Sequence, residues 1–210
     1  MSDAKPTGWN VVVTGAWNLA ILTPSGIAGR LFGLAPSAAV EIEVAMDRPG
    51  SFRVIHDGVS VDPNDGRLLV APRDSTFSAL EKAAKVAIRA LADLPVTPVG
   101  AAGVNFRYAL DSIPDPLRDL LAAKLERELS NEGYTIVQHF SRKTMAFRDG
   151  LINVELLHEA DGPGTVVFNF HRASAAHAEL SSWLAQVETM DAETRKLCSI
   201  LKISLGQEAD

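Results

Sequence analysis

The sequence is poor in cysteine, and this alone excludes several classes of protein. Cys198 is the single cysteine in 210 residues, so the chain can form neither an internal disulfide nor a cysteine-based metal site. An unpaired thiol fits a reducing compartment. The first residues, 1–9, lack the apolar core of a secretory signal. The sequence therefore predicts a cytoplasmic protein.

Long apolar runs and clusters of basic residues are missing as well. No uninterrupted apolar run approaches the roughly 20 residues that a membrane-spanning helix needs. Lysine and arginine form no block, and the net charge is -6, which disfavours binding to a nucleic-acid backbone. We therefore expect neither a membrane nor a nucleic acid as a partner.

Motifs that diagnose a cofactor, a metal or a nucleophile are also absent. The five histidines show neither His-x-x-x-His nor His-x-His spacing, so we predict no metal site. Gly15 follows a short strand, but Asn18, Leu19 and Ile21 stand where a dinucleotide fingerprint needs glycines. Gly-x-Ser-x-Gly does not occur, and Cys198 is predicted to be a small core residue. We predict no cofactor.

What the chain does contain is material for a core. Its composition is 47% hydrophobic and 22% charged, which is ordinary for a globular protein. A length of 210 residues suits one large domain or two small ones that share a core. We predict a single globular domain over residues 1–210.

The stretch 94–110 organises the rest of the chain. Pro95 and Pro98 end a preceding helix. From Val104 onwards apolar and polar residues alternate, as in a half-buried strand. Phe106 shares the face of Val104, whereas Asn105 lies on the other face.

Turn residues and hydrophobic periodicity divide the remainder into elements. In the first half we predict a loose tail at 1–8, strands at 10–14, 40–46, 51–56, 59–61 and 67–71, and helices from Thr23 and over 74–93. In the second half we predict a helix from Asp115 to about Gly133, strands at 134–140, 143–148, 151–158 and 165–172, and helices from Ser174 and over 191–205. Asp149 and Gly150 are predicted to form a hairpin turn with Phe147 opposite Ile152.

Each half thus reads as helix, antiparallel meander, helix. The pattern predicts an α+β fold in which two such halves share a core, with helices on one side of the sheet or sheets. Pseudo-repeat halves at 9–110 and 111–206 are a further prediction. Two separate sheets and one continuous curved sheet both fit the pattern.

Three segments carry a resemblance: 17–24 (Trp-Asn-Leu-Ala-Ile-Leu-Thr-Pro), 94–106, which ends Gly-Val-Asn-Phe, and 168–171 (Phe-Asn-Phe-His). They are similar to recurring features of a loosely defined family of uncharacterised bacterial proteins. The resemblance implies an N-terminal strand, a helix leading into a glycine-containing strand, and a late polar strand before terminal helices. It implies no activity and no site residue.

A candidate site follows from pairing the last two strands. If Val154 meets Phe168, polar residues of both strands share the opposite face, and the repeat adds two residues from 104–110. The candidate residues are Asn105, Arg107, Asn153, Glu155, Asn169 and His171. Such groups can hold and protonate a polar ligand. The alternative is the wet face of an antiparallel sheet, or a buried set whose polar groups satisfy one another.

Two functions remain open from the sequence. The missing catalytic signature and the repeated halves favour a non-enzymatic binding or assembly module. Its partner would be another protein or a second copy, bound through sheet edges or terminal helices, and Trp9 is the tryptophan we would place at an interface. The alternative is an enzyme or a small-ligand binder that uses the six polar residues.

Overall fold

The structure is a computed structural model that describes residues 2–44, 51–121, 131–135, 137–159 and 163–205. The strands are β1 (Ser2–Pro6), β2 (Asn10–Gly15), β3 (Glu41–Val44), β4 (Phe52–His56), β5 (Val59–Asn64), β6 (Arg67–Pro72), β7 (Val99–Leu110), β8 (Gln138–Phe147), β9 (Gly150–Glu159), β10 (Gly164–Ala173) and β11 (Ile203–Leu205). The helices are α1 (Pro24–Gly26), α2 (Phe77–Asp93), α3 (Asp115–Leu121), α4 (His177–Leu184) and α5 (Val187–Ile200), and a π-helical turn (Ile27–Leu31) follows α1.

One continuous sheet joins the strands in the order β3-β4-β5-β6-β2-β7-β10-β9-β8. These neighbours are all antiparallel. Helices α2, α4 and α5 pack on one face of the sheet and bury its apolar side chains. The fold is therefore α+β, as the pattern predicts, and the two halves share one sheet.

The strand order is the same when it is followed outward from the β2–β7 contact in either direction. On one side lie β2, β6, β5 and β4, with the additional strand β3 beyond them, and on the other lie β7, β10, β9 and β8. In both halves a first strand precedes the meander and a helix, α2 or α4, follows it. Strand β7 thus opens the second half in the sheet, whereas the boundaries 9–110 and 111–206 assign it to the first. Whether the halves arose by duplication stays a prediction.

Strand β7 lies at the centre of the core, and its predicted alternation is confirmed. Val104 and Phe106 are fully buried on the helix-covered face, and Tyr108 is nearly so. The Phe106 and Phe170 rings meet edge to face with centroids 5.8 Å apart, an arrangement that aromatic quadrupoles favour. The residues of β7 that point to the other face include Asn105, which is half-buried, and Arg107, which is exposed.

The chain ends differ from the prediction. Residues 1–8 were expected to be a loose tail, but β1 pairs with β7 through Ala4 and Leu110 and with β11 through Ala4 and Leu205. The predicted helix 191–205 ends at Ile200, because Lys202 adopts a left-handed φ of 59° and the chain turns into β11. Such short strands have no room for a periodic signal.

The second meander also differs in detail. The strands predicted at 134–140 and 143–148 are one strand, β8. The hairpin loop is Arg148–Asp149 instead of Asp149–Gly150, because Arg148 takes the left-handed conformation with φ 49°. Met145 therefore lies opposite Ile152, and Phe147 lies opposite Gly150. The register moves by two residues, so every side chain keeps its predicted face.

Some predictions lie partly outside the described residues. They are the end of the strand predicted at 40–46, the helix beyond Leu121 and the turn before Gly164. The predicted cap at Ser174 is wrong, since α4 begins after Ala176 and Ser174 accepts a hydrogen bond from the Ala176 backbone instead.

Candidate functional site

All six candidate residues lie on the face of the sheet opposite the helices. We call this the open face. The register places them in three successive rows across β7, β10 and β9. Asn105, Asn169 and Asn153 form the middle row, with Arg107 and Glu155 on one side of it and His171 on the other.

The middle row is a continuous chain of side-chain hydrogen bonds that crosses five strands. We call it the asparagine ladder; its members are Asn10, Asn105, Asn169, Asn153 and Thr144. Nδ2 of Asn105 donates to Oδ1 of Asn10 at 2.7 Å, and Nδ2 of Asn169 donates to Oδ1 of Asn105 at 2.7 Å. Nδ2 of Asn153 donates to Oδ1 of Asn169 at 2.8 Å, and Oγ1 of Thr144 donates to Oδ1 of Asn153 at 2.8 Å.

The ladder forms because antiparallel pairing puts each of these residues directly opposite the next. Each interior asparagine donates one bond and accepts one, which leaves one N–H and one lone pair for other partners. Stacked amides of this kind link neighbouring strands and polarise one another. The three predicted asparagines are therefore structural cross-links of the sheet.

Arg107 and Glu155 do not meet. Both lie opposite Val167, on the two strands that flank it, so they are separated by two strand spacings, about 10 Å. Glu155 instead forms an ion pair with Arg142 of β8, with Nη2 and Oε1 2.7 Å apart. The carboxylate of the candidate site is thus already paired.

His171 is remote from both Arg107 and Glu155. It lies opposite Gly103 on one side and Leu151 on the other, beyond the asparagine ladder. Four residues of strand separate its row from that of Arg107, or about 13 Å. A general acid or base must come within about 3 Å of the group it serves, and the register does not bring these three groups together at one point.

The single cysteine does not offer a nucleophile. Burial raises the pKa of the Cys198 thiol to about 12, an effect that the nearby Arg195 opposes and Asp191 increases. The thiol is therefore protonated at neutral pH and unreactive, because the thiolate is the nucleophile. A hydrogen bond from Arg172, and a further one from Ser174, lower the pKa of the exposed Glu179 carboxyl. Within the described ranges, no group of three potential metal ligands occurs.

Sequence reasoning missed two members of the ladder, Asn10 and Thr144. Both stand at polar positions of strands, but their pairing depends on long-range register that local patterns do not show.

The placement of Trp9 at an interface is wrong. Its side chain is buried in the core, at 2% exposure. Its ring meets Phe106 and Tyr108 edge to face, at centroid distances of 5.1 and 5.8 Å.

The open face also carries exposed apolar side chains on β8 and β9, the last two strands at one end of the sheet. Phe140 is 62% exposed and lies directly opposite Leu157, which is 43% exposed. Leu151 is 40% exposed and lies six residues before Leu157 in β9, about 20 Å away across the rows of Glu155 and Asn153. We call these three residues the β8–β9 patch. Exposed apolar side chains on one face of a sheet, of which Phe140 and Leu157 are direct neighbours, are typical of a binding surface.

In the part of the chain that the structure describes, no helix combines the length and the apolar character needed to cross a membrane. The resemblance to a family of uncharacterised bacterial proteins stays a prediction. No protein-family model matches this chain, and no curated protein is significantly similar to it.

Proposed function

We propose that this protein is a non-enzymatic binding module that assembles with a second copy of itself through the open face. The observation that carries the proposal is the β8–β9 patch, in which the exposed Phe140 and Leu157 lie on one side of a polar row whose hydrogen bonds are already made, and the exposed Leu151 lies on the other side. In such an assembly the two sheets pack face to face, with the helices on the outside of both.

The state of the polar residues supports binding over catalysis. The asparagine amides are bonded to one another, and Glu155 is paired with Arg142. A catalytic site instead directs unpaired acid, base and oxyanion groups towards one point. The open face offers a rigid polar surface, which suits recognition.

The charges of the open face support a second copy as the partner. Two arginines there are paired with neighbouring acids: Arg53 lies 3.4 Å from Glu43 and 3.6 Å from Asp62, and Arg142 lies 2.7 Å from Glu155. A balanced surface does not repel its own copy, although the whole chain carries a net charge of -6. A strongly charged partner would gain little electrostatic binding energy from such a surface.

The edges of the sheet are less suitable for assembly. In the described chain β3 and β8 end the main path of the sheet, and β11 is a further, three-residue edge. Glu41 and Glu43 place acidic groups on β3, and Arg142 and Lys143 place basic groups on β8. Charged side chains are a common means of preventing edge strands from pairing. These residues favour the face over the edges.

Sedimentation equilibrium on the full chain tests the proposal. We expect a reversible dimer. Its dissociation constant should be at least about tenfold higher in the double variant Phe140→Ser, Leu157→Ser, since each side chain loses roughly 1.5–3 kcal/mol of burial free energy. Val96→Ser is the matched control, because Val96 is 91% exposed and lies in the loop before β7. A wild-type monomer at every concentration would refute the proposal, as would equal dimerisation of the double variant.

The proposal includes a location and a class of partner. The single cysteine, Cys198, supports a reducing compartment, and we place the module in the cytoplasm. The balanced open face and the net charge of -6 support a protein partner over a nucleic acid. Retention on a polyanion column that falls with salt would contradict the second statement.

A further inference from the structure

A second feature lies on the helix-covered side of the first half. A cavity of ≈ 310 Å³ opens between the π-helical turn, the β4–β5 hairpin and α2. Leu31 and Val59 are buried in its wall, and Phe32 and Val86 are half-buried there. This volume is at the lower end of the range for small-molecule sites.

The mouth of the cavity is basic. Lys82, Lys85 and Arg89 come from successive turns of α2, and a spacing of three and four residues puts them on one side of the helix. Lys82 is engaged by Asp57, with Nζ and Oδ2 2.7 Å apart. This hydrogen bond, together with the lysine charge, lowers the pKa of the Asp57 carboxyl.

The other two cations are held only weakly. Nζ of Lys85 lies 3.5 Å from Glu81, and Nε of Arg89 lies 3.8 Å from Asp93. All four side chains are substantially exposed, and pairs of this kind contribute little energy. Lys85 and Arg89 therefore remain able to bind an anion at the mouth.

The wall beside Arg89 has a defined shape. Gly33 takes a left-handed φ of 73°, and a side-chain carbon at this position would overlap the Arg89 guanidinium. The preceding π-helical turn is a rare conformation that often occurs at functional sites. Phe32 meets the His56 ring edge to face, with centroids 5.4 Å apart, which fixes the apolar side of the mouth.

We propose that this cavity binds a small amphiphilic carboxylate. A short acyl chain or a single aromatic ring would lie against Leu31, Val59 and Val86, and the carboxylate would be held by Lys85 and Arg89. The apolar wall selects the body of the ligand, and the two cations select its charge, because a guanidinium binds carboxylates through two parallel hydrogen bonds. The site is separate from the open face and does not depend on the proposed assembly.

Methyl NMR on the full chain tests the proposal with octanoate as the probe. We expect octanoate to shift the methyl signals of Leu31, Val59 and Val86 saturably. 1-Octanol, which lacks the charge, and acetate, which lacks the chain, should bind at least about tenfold more weakly, since a charged hydrogen bond is worth one such factor or more. Lys85→Gln with Arg89→Gln should weaken octanoate binding by a similar factor.

Lys196→Gln is the matched control, because Lys196 is an exposed lysine of α5 that also pairs with a nearby glutamate. If the double variant fails to fold, the single variant Lys85→Gln makes the same test at a more exposed position. Absence of saturable shifts in the wild type would overturn the proposal. So would 1-octanol binding as tightly as octanoate, or undiminished octanoate binding in the variants.

Discussion

Asn169 shows how a single residue can link strands instead of serving a ligand. Its amide donates to Asn105 on β7 and accepts from Asn153 on β9. It is half-buried in the middle of the asparagine ladder. Removing such a group leaves a donor on one neighbour and an acceptor on the other without their partner, which costs more than the bond itself.

Asn169→Ala should therefore lower the free energy of unfolding by about 1–3 kcal/mol. Thr144→Ala is the control, because Thr144 is exposed at the end of the ladder and makes a single bond in it. It should cost no more than about 1 kcal/mol. Urea unfolding curves measure both values. Equal losses for the two variants would show that the interior of the ladder does not stabilise the sheet.

Cys198 gives a second prediction at this scale, because its thiol pKa is raised by burial from 9.0 to about 12. We expect a disulfide reagent to label it slowly in the folded protein and rapidly in urea. The raised pKa also makes the folded state less stable at alkaline pH: its contribution is complete below pH 9 and is lost as the pH rises towards 12. Rapid native labelling at neutral pH would contradict this account.

At the scale of elements, the β8–β9 hairpin depends on Gly150 for packing more than for its turn. A Cβ at this position would lie 2.6 Å from Cη2 of Trp183 in α4 and 2.5 Å from the His171 carbonyl oxygen. The glycine thus lets the helix approach the start of β9. The left-handed conformation of the turn is adopted by Arg148 and not by Gly150.

Gly150→Ala should destabilise the protein by about 1–3 kcal/mol, because the added carbon overfills a packed site. Tryptophan fluorescence during urea unfolding gives the midpoint and also reports on Trp183. Gly66→Ala is the matched hairpin control, since a Cβ there meets only Asn64 Oδ1 at 3.7 Å. If both substitutions are tolerated equally, close packing at Trp183 is not what Gly150 provides.

The elements also show what the sequence could reveal. Phe106, Phe168 and Val154 alternate with polar neighbours, so their strands and faces were predictable from period two alone. The fold class followed from these strands and from the apolar stripe of α2. Strand β1 was missed because its partners lie about a hundred and two hundred residues away along the chain, and no local pattern encodes such pairing.

The candidate site was predictable only in part, for the same reason. Parity placed six polar residues on one face, but only register decides which of them touch. It brings Asn105, Asn169 and Asn153 into contact and keeps Arg107, Glu155 and His171 apart. The cavity beside α2 was not predictable, because it depends on how the π-helical turn packs against β4 and β5.

At the scale of the whole molecule, the sheet has two dissimilar sides. One is buried under helices, and the other carries the asparagine ladder and the β8–β9 patch. An antiparallel sheet can be stable with one solvated face, so the fold does not require a partner there. The exposed Phe140, Leu151 and Leu157 are the reason to expect one, because the burial of apolar side chains against a partner is favourable.

Hydroxyl-radical footprinting of the wild-type chain at low and high protein concentration tests this claim most directly, because it reports the exposure of each side chain. We predict that oxidation of Phe140, Leu151 and Leu157 falls as concentration rises, while that of the exposed Val96 and Ile200, which lie off the open face, stays constant. Oxidation of the β8–β9 patch that does not change with concentration would contradict the assembly through the open face.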